Sequence, residues 1–192
     1  MLCLATNSTT GERFSDVLDR AFTEAAIGFF HDAKPVEVRV GDPEFLYGQT
    51  WASVLGFTSS DVRGSLVVNL SLGALVGSMP AEIAPCYSND PADPLYARML
   101  NDWCGEIANQ IAGRAKNRIH RYGPLVSLST PISLMATGML WGAAPSSQMV
   151  RNFFETNTGR ASCIASLTLE KDHFVEEIAG QQSPEEGEMM LF

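Results

Sequence analysis

Asp102, Glu106 and Asn109 are spaced i, i+4, i+7, and Pro131 follows Asn109 after a gap of 21 residues. At about 3.6 residues per turn, that spacing sets an acid, an acid and an amide along one face of a helix. Two carboxylates so placed can bind a basic patch of a partner, and a neutral amide both donates and accepts hydrogen bonds. An apolar stripe of Met99, Trp103, Ile107, Ile111, Ala115 and Ile119 is displaced from them by one residue step, roughly 100°. The helix therefore has a side to bury and, beside it, a polar stripe that packing does not require.

Other chemistries find little support. There is no Walker loop, no GxGxxG after a strand and no GxSxG elbow. His31, His120 and His173 are far apart and none pairs with another at i+3 or i+4, so no protein-bound metal is expected. His120, near a helix C-terminus, suits the helix dipole. Cys104 has no histidine near it in sequence and reads as a core thiol. Cys3, Cys86, Cys104 and Cys163 are scattered without a CxxC pair, the pattern of a reduced, cytoplasmic chain. The first residues carry no basic start or signal-length apolar stretch, and no apolar run approaches the roughly 20 residues of a membrane span.

The elements that must position the polar stripe follow from periodicity and punctuation. Ser15 or Asp16 can cap a helix running to about Phe30, which Lys34-Pro35 ends. Residues 36–40 and 48–57 read as strands, and 63–70 as a third that forms a hairpin with the second. Residues 71–79 are a short helix, and 80–94, with four prolines, a loop. Asp93 can cap a long helix from Pro94 to about Tyr122. Gly105 and Gly113 lie inside it, permitting close packing or the close approach of a partner. Residues 125–129, 132–140, 148–156 and 160–169 are further strands, the last two joined by Asn157-Thr158-Gly159 as a hairpin. This order predicts an α+β fold, a mostly antiparallel sheet with two long helices packed on one face. Each half has one helix followed by consecutive strands, so an internal two-fold pseudo-symmetry is expected. The expected organisation is a flexible lead-in over 1–12, one domain over 13–172 and an acidic, mobile tail over 173–192.

A chain of 192 residues with 45% hydrophobic and 18% charged residues can build one well-buried core. The net charge of −9 argues against nucleic-acid binding, which needs clustered Lys and Arg. Much of the excess lies from Glu170 onward, where seven acids meet one lysine.

The full pattern, Asp102-x3-Glu106-x2-Asn109-x21-Pro131, resembles the signature of the CheC/CheX/FliY family of response-regulator phosphatases. The surrounding Glu-Ile-Ala-Asn-Gln-Ile-Ala-Gly-Arg-Ala-Lys and Leu-Ser-Thr-Pro-Ile look most like CheX. The resemblance implies that the substrate is the aspartyl phosphate of a phosphorylated CheY-like receiver domain. The receiver would bring its own Mg²⁺ and lysine, so no cofactor is expected on this chain. Asn109 would orient the attacking water, and Glu106 would pair with the receiver's lysine and fix the docking register. Asp102 would extend the acidic docking face, Gly113 would lie in the partner-binding surface, and Pro131 would shape the strand behind the helix. CheC-type members carry a second motif on their first helix. Here that helix offers Arg20-x3-Glu24-x2-Ile27, with Gln49 at the proline position, so one site per chain is expected. CheX-like proteins are typically homodimers, and a homodimer through open sheet edges is expected here. The competing reading is a non-catalytic module that docks a signalling partner without turnover. A structural role in a motor assembly has little support, since no assembly domain or partner-binding motif is evident.

Overall fold

Trp51 stands opposite Leu70, and Leu55 opposite Leu66, on adjacent antiparallel strands. Residues paired this way share one face of a sheet, and this face is buried under helices. The structure, a computed structural model, describes residues 11–37, 49–81, 93–137 and 147–178. Its elements are β1 (Glu12–Arg13), α1 (Phe14–Phe29), β2 (Lys34–Pro35), β3 (Gln49–Thr58), β4 (Val62–Ser71), α2 (Leu72–Gly77), α3 (Pro94–His120), β5 (Ser127–Leu128), β6 (Ile132–Thr137), β7 (Gln148–Thr156), β8 (Gly159–Leu169) and β9 (Phe174–Val175).

The main sheet is antiparallel and runs β2-β7-β8-β4-β3, with β5 and β6 both pairing with β3. α1 packs over β7 and β8, α3 over β3, β4 and β6, and the two helices touch. Phe14, Leu18, Phe22, Leu100, Ile107, Ile111 and Ile119 enter one core with Leu55, Leu66, Val68 and Phe154 from the sheet. This is the expected α+β class, with both long helices on one side. The expected pseudo-symmetry is present in the topology. Exchanging β2, β3 and β4 for β6, β7 and β8 leaves the order β2-β7-β8-β4-β3-β6 unchanged.

Both hairpins form where turn chemistry placed them, between Thr58 and Val62 and between Thr156 and Gly159. Ser71 caps α2, its hydroxyl accepting from the Ala74 N–H. Several boundaries differ from expectation. α1 begins at Phe14, before Ser15 or Asp16 could cap it, and Arg13 makes no side-chain cap bond. The cap comes from Asp172 instead: Oδ1 accepts from the Ser15 N–H at 3.2 Å, and Oδ2 from the Ser15 hydroxyl at 3.2 Å and from Arg13 at 3.0 Å. Of the strand expected over 36–40, residues 36 and 37 are not strand: the described strand is Lys34–Pro35, followed by a bond from the Val36 N–H to the Phe153 carbonyl. The 125–129 strand shrinks to Ser127–Leu128. Residues 38–40, 48 and 138–140 of the expected strands, and 82–92 of the proline-rich loop, lie outside the described residues.

The tail boundary at 173 also needs correction. Phe174–Val175 pairs with Glu12–Arg13, Val175 is buried, and the Ile178 N–H donates to the Arg121 carbonyl at 2.8 Å. Residues 173–178 and Glu12 therefore belong to the packed fold; 1–10 and 179–192 lie outside the described residues.

Candidate functional site

α3 is built to hold a straight polar face. Asp93 accepts from the Leu95 N–H at 2.9 Å, Pro94 takes the first turn, and Arg118 and His120 sit in the last turn against the negative end of the helix dipole. Leu100, Cys104, Ile107, Ala108, Ile111, Ala112, Ala115 and Ile119 are buried. The buried side is wider than a single stripe. Trp103 lies at its margin, half-buried, its indole N–H donating to the Ser78 hydroxyl at 3.2 Å and tying α3 to the end of α2. Burial pushes the Cys104 thiol up to about 12, so at neutral pH it is no nucleophile.

Asp102, Glu106 and Asn109 are all exposed, on one line along the side of α3 away from the core. Over seven residues that line is about 10 Å long. Each acid has a neighbour one turn away that the sequence reading did not single out. Arg98 Nε lies 3.8 Å from Asp102 Oδ2, both side chains well exposed. Gln110 Nε2 donates to Glu106 Oε1 at 3.0 Å. Both pairs are i, i+4, so the ordinary helix-pair rule was the available signal. Among the described residues no hydrogen bond engages the Asn109 amide, which leaves it open to water or a ligand.

Pro131 stands directly behind this line. A Cβ built on Gly105 would lie 3.5 Å from Pro131 Cγ and 3.2 Å from the Ser133 hydroxyl, which itself donates to the Ser53 hydroxyl at 3.3 Å. Gly105 lets the start of β6 pack closely on α3, one residue before Glu106. Gly113 differs: among the described residues no atom outside its own stretch of helix comes within 4 Å of where its Cβ would be. A glycine inside a helix costs about 1 kcal/mol relative to Ala. Gly105 offsets that cost with packing, and among the described residues Gly113 does not.

No family model matches this sequence, and no curated protein does. Solved structures do match. CheX from Vibrio vulnificus superposes with a TM-score of 0.61 at 18% identity, covering 80% of this chain and 98% of that one. The fold is that of CheX. A chemotactic CheC-like protein from Shewanella oneidensis MR-1 matches with TM-score 0.61 at 16% identity, covering 80% of this chain and 97% of its own. A CheX–CheY–BeF3–Mg²⁺ complex from Borrelia burgdorferi matches with TM-score 0.55 at 14% identity, over 81% of this chain and 97% of that one.

Within this CheX fold, α3 and α1 occupy pseudo-equivalent places, but α1 presents no free counterpart of the polar line. Arg20 donates to Glu12 and, at 2.7 Å, to the Tyr122 hydroxyl. Glu24 accepts from Arg118 Nε at 3.1 Å, and the amide position is Ile27. The polar groups of α1 stitch it to the C-terminal end of α3. Among the described residues no helix is long and apolar enough to cross a membrane.

Proposed function

We propose that this protein is a phosphatase that hydrolyses the aspartyl phosphate of a CheY-like receiver domain. The observation that carries the proposal is the line of Asp102, Glu106 and Asn109, exposed at family spacing on α3 with Pro131 packed behind it. The CheX–CheY complex of similar fold supports a receiver as the partner. Asn109 hydrogen-bonds the attacking water and holds it in line with phosphorus. Water adds to phosphorus as the bond from phosphorus to the aspartyl oxygen breaks; the receiver's aspartate is left as a carboxylate and both water protons depart with the inorganic phosphate. The amide is not titratable near neutral pH, so it acts by orientation. The Mg²⁺ and lysine that neutralise the phosphoryl oxygens belong to the receiver. Glu106 meets that lysine, and Asp102 adds to the field that draws it in. A homodimer in the cytoplasm completes the proposal, with β2 and β6 at the two ends of the described sheet as candidate pairing edges.

The test is the decay rate of a phosphorylated receiver with Mg²⁺, for wild type and Asn109→Ala. Wild type should accelerate decay, and Asn109→Ala should lose about 100-fold or more of that acceleration while still docking. Glu106→Ala should instead weaken binding about tenfold, or 1.4 kcal/mol. Docking by wild type with no accelerated decay would favour the non-catalytic module.

A further inference from the structure

We infer that Gly113 is the clearance point of the docking face, where the main chain of the receiver comes up against α3. This rests on the phosphatase reading and adds how the partner sits. Glycine is among the least favourable residues in a helix interior, so a mid-helix glycine calls for a reason. Packing supplies none here, since nothing among the described residues lies within 4 Å of a Cβ at this position. Backbone geometry supplies none either, because Gly113 sits in regular helix and the positive-φ glycine of the described chain is Gly123. Nothing in the described fold accounts for this glycine, and its place beside Asn109 points to the partner.

The position fits that account. Gly113 follows Asn109 by four residues, on the same face and about 6 Å further along the axis. An aspartyl phosphate hangs on a short side chain. To bring its phosphorus within reach of a water held by Asn109, the receiver must bring its main chain along. The two acids occupy the side of Asn109 toward the helix N-terminus, so the receiver's lysine belongs there. The bare backbone at Gly113 lies on the other side, and any side chain there would project into the approaching loop. The docked receiver is thereby oriented along α3, its lysine over Glu106 and its main chain over Gly113.

The test titrates wild type, Asn109→Ala, Gly113→Ala and Gly113→Met with the receiver domains of the same cell, each loaded with beryllofluoride and Mg²⁺, and records melting temperatures alongside. Both Gly113 variants fill open space with a better helix former, so their melting temperatures should rise, by about 2–4 °C for Gly113→Ala. Affinity should fall tenfold or more for Gly113→Met and less for Gly113→Ala, while Asn109→Ala binds like wild type. Gain of stability with loss of affinity is a combination that a purely structural glycine would not produce. Gly113 variants that bind as wild type does would overturn the clearance and leave the phosphatase reading standing. Failure of wild type to bind any receiver would remove the reading itself.

Discussion

Under the proposed function, Glu106 answers to two partners with one carboxylate. In the free protein Oε1 accepts from Gln110 Nε2, which restrains the side chain along the helix without neutralising it. An exposed pair of this kind is worth about 0.2–0.5 kcal/mol, or roughly twofold in an equilibrium. Gln110 is therefore a positioning residue whose neutrality matters more than its hydrogen bond. A cation four residues after a glutamate is the favoured orientation for a helical ion pair. Gln110→Lys should thus satisfy Glu106 internally and compete with the receiver's lysine. The expected outcome is a Kd for the receiver several-fold weaker for Gln110→Lys, within about twofold of wild type for Gln110→Ala, and an unchanged rate at saturation for both. Unaltered affinity in Gln110→Lys, measured in the same titration, would show that Glu106 does not meet a cation.

The same logic of partners a turn away fails for α1, whose cap comes from far along the chain. Slight burial pushes the Asp172 carboxyl up, but the Ser15 N–H, Arg13 and the Ser15 hydroxyl outweigh it and hold the group below the ordinary carboxylate value. A depressed folded value means that the contribution to stability is complete above the unfolded value, about 3.9, and is lost as pH falls through the folded one. Asp172→Asn should lower stability by about 1 kcal/mol at pH 7, and the gap to wild type should close below about pH 4. Melting curves of both proteins from pH 7 to pH 3 check this; a gap independent of pH would show that the charge is idle. Nothing in sequence pointed to this contact, because Asp172 and Ser15 are 157 positions apart. That distance is also why 173–178 read as tail: an acid-rich segment of two-residue pairings carries no periodicity. Asp93-Pro94, the two hairpins and the polar line of α3 were legible because each is a local pattern with a local cause. As mid-helix glycines Gly105 and Gly113 are alike, the resemblance singled out Gly113 alone, and the placement of Pro131 and Ser133 shows that Gly105 serves packing.

The molecule as a whole is two similar halves back to back through β4 and β8, yet one half carries the exposed polar line on which the proposed function rests. The difference lies in how the polar side of each long helix is used. On α3, among the described residues, Asp102 and Glu106 pair only with neighbours on their own helix. On α1, Arg20 and Glu24 reach Tyr122 and Arg118, at the far end of α3, and fasten the halves together. The α1 half thus lends its charges to cohesion, and the α3 half leaves its charges exposed, where the proposed function puts a partner. Restoring the missing amide should then not restore activity. In an Asn109→Ala background, Ile27→Asn sets an exposed amide at the pseudo-equivalent position, but Glu24 stays bound to Arg118 and cannot receive a lysine. The expected receiver-phosphate decay is that of Asn109→Ala alone. Recovery of even about a tenth of the wild-type acceleration, within roughly 1.4 kcal/mol of the native barrier, would mean that the amide suffices and that the engaged Glu24 is no obstacle.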